Sequence, residues 1–232
     1  MLDVYVLMNV YNDHVFLPVA LDSVKHAADY IIVADGAYQQ YYDTYLQYMP
    51  DAKPWSTDGT REMLDIIPDL PPLKLIEPPN GEPWENQCIK RTALLDAVPE
   101  GDWFIVLDSD EMIHGRLADG LEEFMRSGCI AGQCPLYNAG LDISQMMPMW
   151  HPRCFLKIEG MHYHRKHFIV LDYAGRNIYA TYPIKWTDAF VVAHLKAFKH
   201  GGRLLPHLSY MEKKSVDGWM EPYALGQPLN LR

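Results

Sequence analysis

The sequence lacks several features that mark other classes of protein. No apolar run approaches the roughly 20 residues that a membrane span needs, and the N-terminus has no basic segment of the kind that begins a signal peptide. No repeat or low-complexity tract occurs, and 49% of the residues are hydrophobic, which is enough to bury a core. We therefore expect a globular, cytoplasmic protein without a membrane span.

Cysteine is also scarce. The four cysteines are scattered and none forms Cys-x-x-Cys, so we expect reduced thiols and no cysteine zinc site. A formal net charge of -10 makes the surface repel nucleic acid, and no nucleic-acid partner is expected. Basic and histidine residues gather after residue 161, which suits a small anionic ligand better than a long polyanion.

The chain is organised around residues 103–111. Five apolar residues run directly into Asp108, Asp110 and Glu111, a pattern typical of a strand buried on both faces of a parallel sheet. Ligands of open α/β sheets bind beyond the carboxyl ends of the strands. Carboxylates packed this closely repel one another unless a cation or solvent relieves them. The stretch therefore indicates a divalent metal site or, alternatively, a solvated acidic turn.

The residues before this stretch predict a βαβ unit. A strand at 4–10 leads to a polar loop, a helix at 17–28 and a second strand at 30–34 that ends in Asp35. This order favours a parallel α/β sheet with a site at its carboxyl edge. A tyrosine stripe at 38–48 has helical spacing and serves either packing or sugar binding.

The remaining periodicity predicts one domain over residues 1–215 and a C-terminal tail at 216–232. Further helices are predicted at 61–67, 85–98 and 117–125. Further strands are predicted at 73–76, 130–137 and 190–195. Three more, at 154–158, 167–171 and 177–180, are predicted to form a smaller, antiparallel part.

Four motifs occur in a recognisable order. Residues 10–13 are close to V-Y-N-E, and residues 31–36 are close to I-I-V-V-D-D-G, with S-T-D-G-T following at 56–60 after an insertion. Residues 101–110 are close to G-D-W-I-L-x-L-D-A-D, and His194 ends a late apolar run. Together the motifs resemble those of nucleotide-sugar glycosyltransferases of the GT-A fold, family-2-like, over roughly residues 4–203.

The resemblance implies an α/β fold of the GT-A, Rossmann-like type: a mostly parallel central sheet flanked by helices, with a smaller antiparallel part on the acceptor side. It also implies a metal-dependent hexosyltransferase that moves a sugar from a nucleoside diphosphate sugar, a UDP-sugar first, to an unidentified glycan, protein or small molecule. The cofactor would be Mn²⁺ or Mg²⁺, bound by a DXD motif. The resemblance further implies that the first half, 1–111, binds the nucleotide-sugar donor and that the second half, 112–215, with its Met-rich loop, binds the acceptor.

The resemblance assigns roles to particular side chains. The metal ligands would be Asp108, Asp110 and His194, because a neutral imidazole is a common ligand for such ions and adds no charge. The nucleotide and its phosphates would be bound by Asn12, Asp35, Lys90, Arg91, Asp108 and Arg203. In an inverting reaction the acceptor proton would be removed by one of Asp188, His167 and Asp172.

Two alternatives from other classes remain. A nucleotidyltransferase also uses carboxylates and a metal at strand ends, but it would usually carry a glycine-rich basic loop after the first strand. The loop at 11–18 has no glycine. A catalytically inactive GT-A-like binding module is opposed by the intact acidic motif and His194.

Overall fold

The computed structural model describes residues 2–138, 149–164 and 166–195, without the side chains of 138, 149–151 and 166–169. The strands of this part are β1 (Val4–Val10), β2 (Tyr30–Asp35), β3 (Leu73–Ile76), β4 (Trp103–Asp108), β5 (Glu111–Gly115), β6 (Ala131–Asn138), β7 (Met149–Leu156), β8 (His162–His164), β9 (Lys166–Leu171), β10 (Ile184–Trp186) and β11 (Phe190–His194). Its helices are α1 (Leu17–Asp22), α2 (Gln39–Leu46), α3 (Thr60–Ile66), α4 (Gln87–Asp96), α5 (Leu117–Ser127) and α6 (Ile178–Thr181). The predicted tail at 216–232 and Arg203 lie outside the described residues.

The central sheet explains the long apolar runs of the sequence. Its strand order is β3-β2-β1-β4-β7-β6-β11-β5, with β10 beside β6. Along β1, Val6, Met8 and Val10 face one hydrophobic cluster, while Tyr5 and Leu7 face another on the opposite side of the sheet. Strands covered on both faces need apolar side chains in both directions, so the alternation of a half-exposed strand is absent here.

The strand directions bring one set of strand ends together. β3, β2, β1 and β4 are parallel neighbours. β7 is antiparallel to both β4 and β6, and β11 is parallel to β6. β11 therefore runs in the same direction as β4, and the carboxyl ends of β1, β2, β4 and β11 lie on one edge. We call this edge the carboxyl edge of the sheet.

The predicted α/β class is confirmed. The large sheet is mostly parallel, and a separate antiparallel pair, β8 and β9, forms the smaller part. The four cysteines are free thiols, as expected. Within the described residues, no helix is long and apolar enough to span a membrane.

Two sequence predictions about this smaller part are wrong. Residues 177–180 were expected as a strand, but the Asn177 side chain accepts the Tyr179 N–H at 2.9 Å and begins helix α6. The strand expected at 154–158 is β7, which belongs to the central sheet and not to the smaller part. The acids of residues 108–111 follow the end of β4, as expected, but β5, a strand that was not predicted, begins at Glu111 and pairs with β11.

Candidate functional site

The carboxyl edge of the sheet gathers most of the residues that the sequence predicts for the site. Asn12 follows β1, Asp35 ends β2, Asp108 ends β4 and His194 ends β11. Asp110 lies in the tight turn between β4 and β5. The fold therefore brings residues from four distant parts of the chain to one edge, which is where ligands of open α/β sheets bind.

Asp35 is fully engaged within the protein. Its carboxylate accepts the Ser56 main-chain N–H at 3.0 Å, the Ser56 hydroxyl at 2.5 Å and the Arg61 Nε–H at 2.6 Å. The side chain is 1% exposed. Asp35 was predicted to hold the nucleoside; in this structure it holds the loop at 54–61 against the end of β2.

Despite the insertion at 37–55, the motif at 56–60 lies beside the loop that follows β1. The Asn12 main-chain N–H donates to the Ser56 hydroxyl at 2.8 Å, and the Thr57 N–H donates to the Asn12 side-chain oxygen at 2.9 Å. The turn after β2 passes Gly36 with φ of 100°, where a Cβ would lie 2.3 Å from Pro78 Cγ. Only glycine fits this crossing without strain.

The inserted helix α2 packs its tyrosines against the end of β1. The Tyr11 and Tyr45 ring centroids are 5.4 Å apart, and those of Tyr11 and Tyr41 are 6.1 Å apart, both in edge-to-face geometry. Burial and the neighbouring tyrosines raise the pKa of Tyr11. The stripe is a packing feature, which is one of the two alternatives that the sequence left open.

Helix α4 supplies two buried cations. The Lys90 ammonium donates to the main-chain oxygens of Val10 at 2.9 Å and of Gly36 at 2.6 Å, so it joins the ends of β1 and β2. Burial lowers the pKa of Lys90 from 10.5 to about 8, although Asp35 opposes this shift. Lys90 was predicted to contact phosphate; its ammonium is instead bonded to these two carbonyls.

Arg91 pairs with the first acid of the central motif. Its Nη2 donates to Asp108 Oδ1 at 2.7 Å, and its guanidinium carbon lies 6.0 Å from the centroid of the Tyr163 ring. Burial works against the charged form, but the Asp108 carboxylate outweighs it and the pKa of Arg91 is raised. A permanent cation therefore lies beside the acidic turn.

Glu111 fixes the shape of this turn. One carboxylate oxygen accepts the Asp108 main-chain N–H at 2.9 Å, and the other accepts from Arg153 Nη2 at 2.5 Å. Burial raises the pKa of Glu111, although Arg153 opposes the shift. Both members of this ion pair are buried, so the turn is anchored from inside the protein.

Asp110 and His194 are direct neighbours. Asp110 Oδ2 lies 3.3 Å from His194 Nε2, and the Leu195 N–H donates to the Asp110 main-chain oxygen at 2.7 Å. Burial alone would lower the pKa of His194, but hydrogen bonding to Asp110 outweighs it and raises the pKa. The structure thus brings together two of the three side chains predicted as metal ligands.

The third predicted metal ligand, Asp108, is paired with a cation of the protein, and this affects how a metal ion could be bound. Asp108 points one oxygen to Arg91, and within the described residues no three His, Cys, Asp or Glu side chains form a ready-made metal site. Asp110 and His194 offer one oxygen and one nitrogen, a donor set suited to Mn²⁺-like ions. Ions of this class commonly take one or two protein carboxylates and complete their shell with substrate phosphates and water.

The three residues predicted as catalytic bases have different surroundings in the structure. Asp172 is saturated: it accepts the main-chain N–H groups of Ala174 and Arg176, the Arg176 side chain and the Tyr182 hydroxyl. Burial opposes the charge, but these hydrogen bonds lower the pKa of Asp172 to about 2. So weak a base, bonded on both oxygens, is a structural group, and the prediction of a catalytic role does not fit the structure.

Asp188 is exposed and precedes β11, whereas His194 ends it. It therefore lies at the edge of the sheet opposite Asp110 and His194, so its position does not support the prediction that it removes the acceptor proton. The backbone of His167 lies in β9, but its side chain is outside the described residues.

Sequence reasoning missed several contributors. Glu111 was counted among the acids but given no role, and Arg153 was overlooked in the strand Met149–Leu156. An arginine directly before the apolar run at 154–156 is the signal that would have found Arg153, because a charged residue inside a sheet needs a buried partner. The Ser109 hydroxyl, which donates to Asp13 Oδ2 at 2.5 Å and ties the acidic turn to the loop after β1, was missed too.

Comparisons with known proteins leave the family unassigned. No family model and no curated protein matches the chain. Residues 1–349 of S. aureus TarS share 15% identity with a TM-score of 0.41, over 60% of this chain and 36% of that one. This chain therefore spans about a third of that structure's length.

Two further solved structures are similar at the same level. Bifunctional IspDF from Campylobacter jejuni shares 11% identity over 80% of this chain and 49% of that one, with a TM-score of 0.42. A 4-diphosphocytidyl-2C-methyl-D-erythritol synthase from Anaerococcus prevotii shares 8% identity over 91% of this chain and 96% of that one, with a TM-score of 0.43. Scores of this size carry no functional assignment, so function is argued from the site itself.

Proposed function

We propose that this protein is a metal-dependent glycosyltransferase that moves a sugar from a nucleoside diphosphate sugar to a hydroxyl acceptor. The observation that carries the proposal is the 3.3 Å approach of Asp110 and His194 at the carboxyl edge of the sheet. They lie beside Asp108, which is paired with the buried cation Arg91. An oxygen donor, a nitrogen donor and a fixed positive charge together suit a metal-bound diphosphate.

The cofactor in this proposal is Mn²⁺ or Mg²⁺, held by Asp110 and His194, with Asp108 reaching it directly or through water. When bound, the ion would supply Lewis-acid stabilisation of the charge that develops on the diphosphate leaving group. Arg91 would contribute a second, permanent positive charge close to the same phosphates. It cannot lose its proton, so this contribution persists at every physiological pH.

The nucleoside would lie over the ends of β1 and β2. Lys90 joins these ends and Asp35 fixes the loop at 54–61, so both residues shape the crevice instead of touching the ligand. Asn12, which follows β1, is buried and donates its own main-chain N–H to Ser56. UDP is the first nucleotide to test, followed by GDP, CDP and dTDP.

The test is calorimetric binding of each diphosphate with and without Mn²⁺. We expect metal-dependent binding that Asp110→Asn weakens at least about tenfold, since losing even an outer partner of a metal ligand costs that much. Asp188→Asn is the matched control, because it removes a carboxylate at the opposite edge and should bind normally. If no diphosphate binds in the presence of metal, the donor site is wrong.

Product analysis separates the remaining alternatives. A glycosyltransferase releases the nucleoside diphosphate from a nucleotide sugar, slowly to water and faster to its acceptor. A nucleotidyltransferase releases pyrophosphate from a nucleoside triphosphate and a sugar phosphate. An inactive binding module binds the nucleotide and releases neither product.

A further inference from the structure

We propose that His14, oriented by Asp58, is the catalytic base that accepts the proton of the acceptor hydroxyl. The proposal rests on the proposed function, since it supplies the base of that reaction. Of the three bases expected from the sequence, Asp172 is saturated and Asp188 lies at the opposite edge. The His14–Asp58 pair was not among the sequence predictions.

The pair has the geometry of an oriented imidazole. His14 Nδ1 lies 2.8 Å from Asp58 Oδ2, and the His14 main-chain N–H donates to the same oxygen at 3.3 Å. The other oxygen, Oδ1, accepts the main-chain N–H of Thr60 at 3.1 Å and its hydroxyl at 2.5 Å. Asp58 is therefore held on one side by two groups of Thr60 and presents its second oxygen to the imidazole.

The charge on Asp58 fixes the tautomer of His14. Burial opposes ionisation, but the hydrogen bonds from Thr60 and His14 outweigh it and lower the pKa of Asp58. A carboxylate can only accept, so Nδ1 must carry the hydrogen. Nε2 then carries the lone pair of a neutral imidazole, which is the arrangement that a general base requires.

The pair is accessible and is connected to the acidic turn. The His14 side chain is 46% exposed and that of Asp58 is 22% exposed, whereas Asp110 and Glu111 are nearly buried. Asp13, the residue before His14, accepts the Ser109 hydroxyl at 2.5 Å, and Ser109 lies between Asp108 and Asp110. The exposed imidazole thus belongs to the loop that is bonded directly to the acidic turn.

The proposed step is balanced without a further reactant. The acceptor hydroxyl transfers its proton to His14 Nε2, and the oxygen electron pair released forms the bond to the anomeric carbon. The anomeric C–O bond to the diphosphate breaks, and its electron pair leaves on the diphosphate oxygen. The imidazolium, stabilised by Asp58, then gives the proton to water.

The first experiment measures metal-dependent release of nucleoside diphosphate from the nucleotide sugar that binds most tightly, with water or an acceptor as nucleophile. We expect His14→Ala to lower turnover roughly a hundredfold or more, the usual contribution of a general base. Its nucleotide affinity should stay within about twofold. Added imidazole should restore turnover in proportion to its concentration, because the vacated position is open to solvent. His26→Ala is the matched control, since His26 is exposed and lies before β2 at the opposite edge.

The second experiment reads the tautomer without any turnover. Nitrogen-15 NMR of the wild-type protein should show the Nδ1–H form of His14, and Asp58→Asn should lose this preference and lower turnover. Normal turnover in His14→Ala overturns the base assignment but leaves the donor site supported if Asp110→Asn still weakens metal-dependent nucleotide binding. Absence of metal-dependent turnover in the wild-type protein, or an Nε2–H tautomer, overturns the assignment as well.

Discussion

Replacing Lys90 by methionine separates two opposing effects of one buried charge. The ammonium of Lys90 donates to the carbonyls of Val10 and Gly36, and its side chain is buried. Methionine keeps the volume and removes both the charge and the hydrogen bonds. The two carbonyls then lose their donor, which costs about 1–3 kcal/mol for each buried group left unpaired.

The cost of burying the charge acts in the other direction. A pKa lowered from 10.5 to about 8 means that folding disfavours the ammonium by roughly 3 kcal/mol at neutral pH. Between about pH 8 and pH 10.5, Lys90 of the folded protein has released its proton, while Lys90 of the unfolded chain keeps it. The unfolded state then binds more protons, so the free energy of unfolding rises with pH. A neutral amine still donates two hydrogens, so both carbonyl bonds survive.

Near pH 7 the two effects nearly cancel, and we expect Lys90→Met to differ from the wild type by less than about 2 kcal/mol. By pH 10 the wild type should have gained roughly 2.5 kcal/mol over the variant. Urea denaturation of both proteins from pH 7 to 10 measures the difference between their free energies of unfolding. The titrations of all other groups contribute equally to both proteins and cancel in this difference. Lys74→Met, at an exposed position on β3, should show no such trend. A pH-independent difference for Lys90→Met would refute the argument that Lys90 is buried as a charged group at neutral pH.

Two further predictions concern buried carboxylates. Arg153→Met leaves Glu111 buried without its cation and should lower the free energy of unfolding, measured in urea, by roughly 3–5 kcal/mol. Combining Arg153→Met with Glu111→Leu should recover most of this loss. A double variant no more stable than the single variant would contradict the pairing. Asp172→Asn should lower the melting temperature at pH 7. Because the folded pKa of Asp172 is about 2, below its ordinary 3.8, its contribution is present above pH 4 and lost on acidification. The two melting temperatures should therefore converge as the pH approaches 2, and a constant gap would argue against the lowered pKa.

The parallel part of the fold was predictable because strands buried on both faces appear in the sequence as uninterrupted apolar runs. Residues 4–10 and 73–76 were predicted as strands with the limits that the structure shows for Val4–Val10 and Leu73–Ile76. Such strands need apolar residues in every direction, so their runs stand out without knowledge of their partners. The helices that were predicted are present, but several are shorter than expected at one end, where main-chain turns replace the regular helical pattern; helix α6 was predicted as a strand.

Strand β5 and the first part of β7 were not predicted, and both contain a charged residue inside the sheet. Glu111 begins β5 and Arg153 lies in β7, so neither strand shows an uninterrupted apolar run. Their polarity makes sense only once the pair is known, and the two residues are 42 positions apart. The local sequence pattern cannot reveal a contact between residues that are distant in the sequence and meet only in the folded sheet.

The same distinction governs the site. The sequence predicted that Asp108, Asp110 and His194 would lie at one sheet edge, because strand ends and strand directions decide that. It could not predict that Asp108 would pair with Arg91, a contact that depends on the orientation of α4 against the sheet.

The partners of the acids also change what a metal would require. The sequence suggested that clustered carboxylates need a cation, but Asp108 has Arg91, Asp110 has His194 and Glu111 has Arg153. The repulsion is therefore already relieved within the protein, and a divalent ion alone gains little by entering. A nucleoside diphosphate would bring further oxygen ligands for the ion and an anionic group for Arg91. If the proposed function is right, metal and nucleotide should each raise the affinity of the other by the same factor, because linkage between two binding sites is reciprocal.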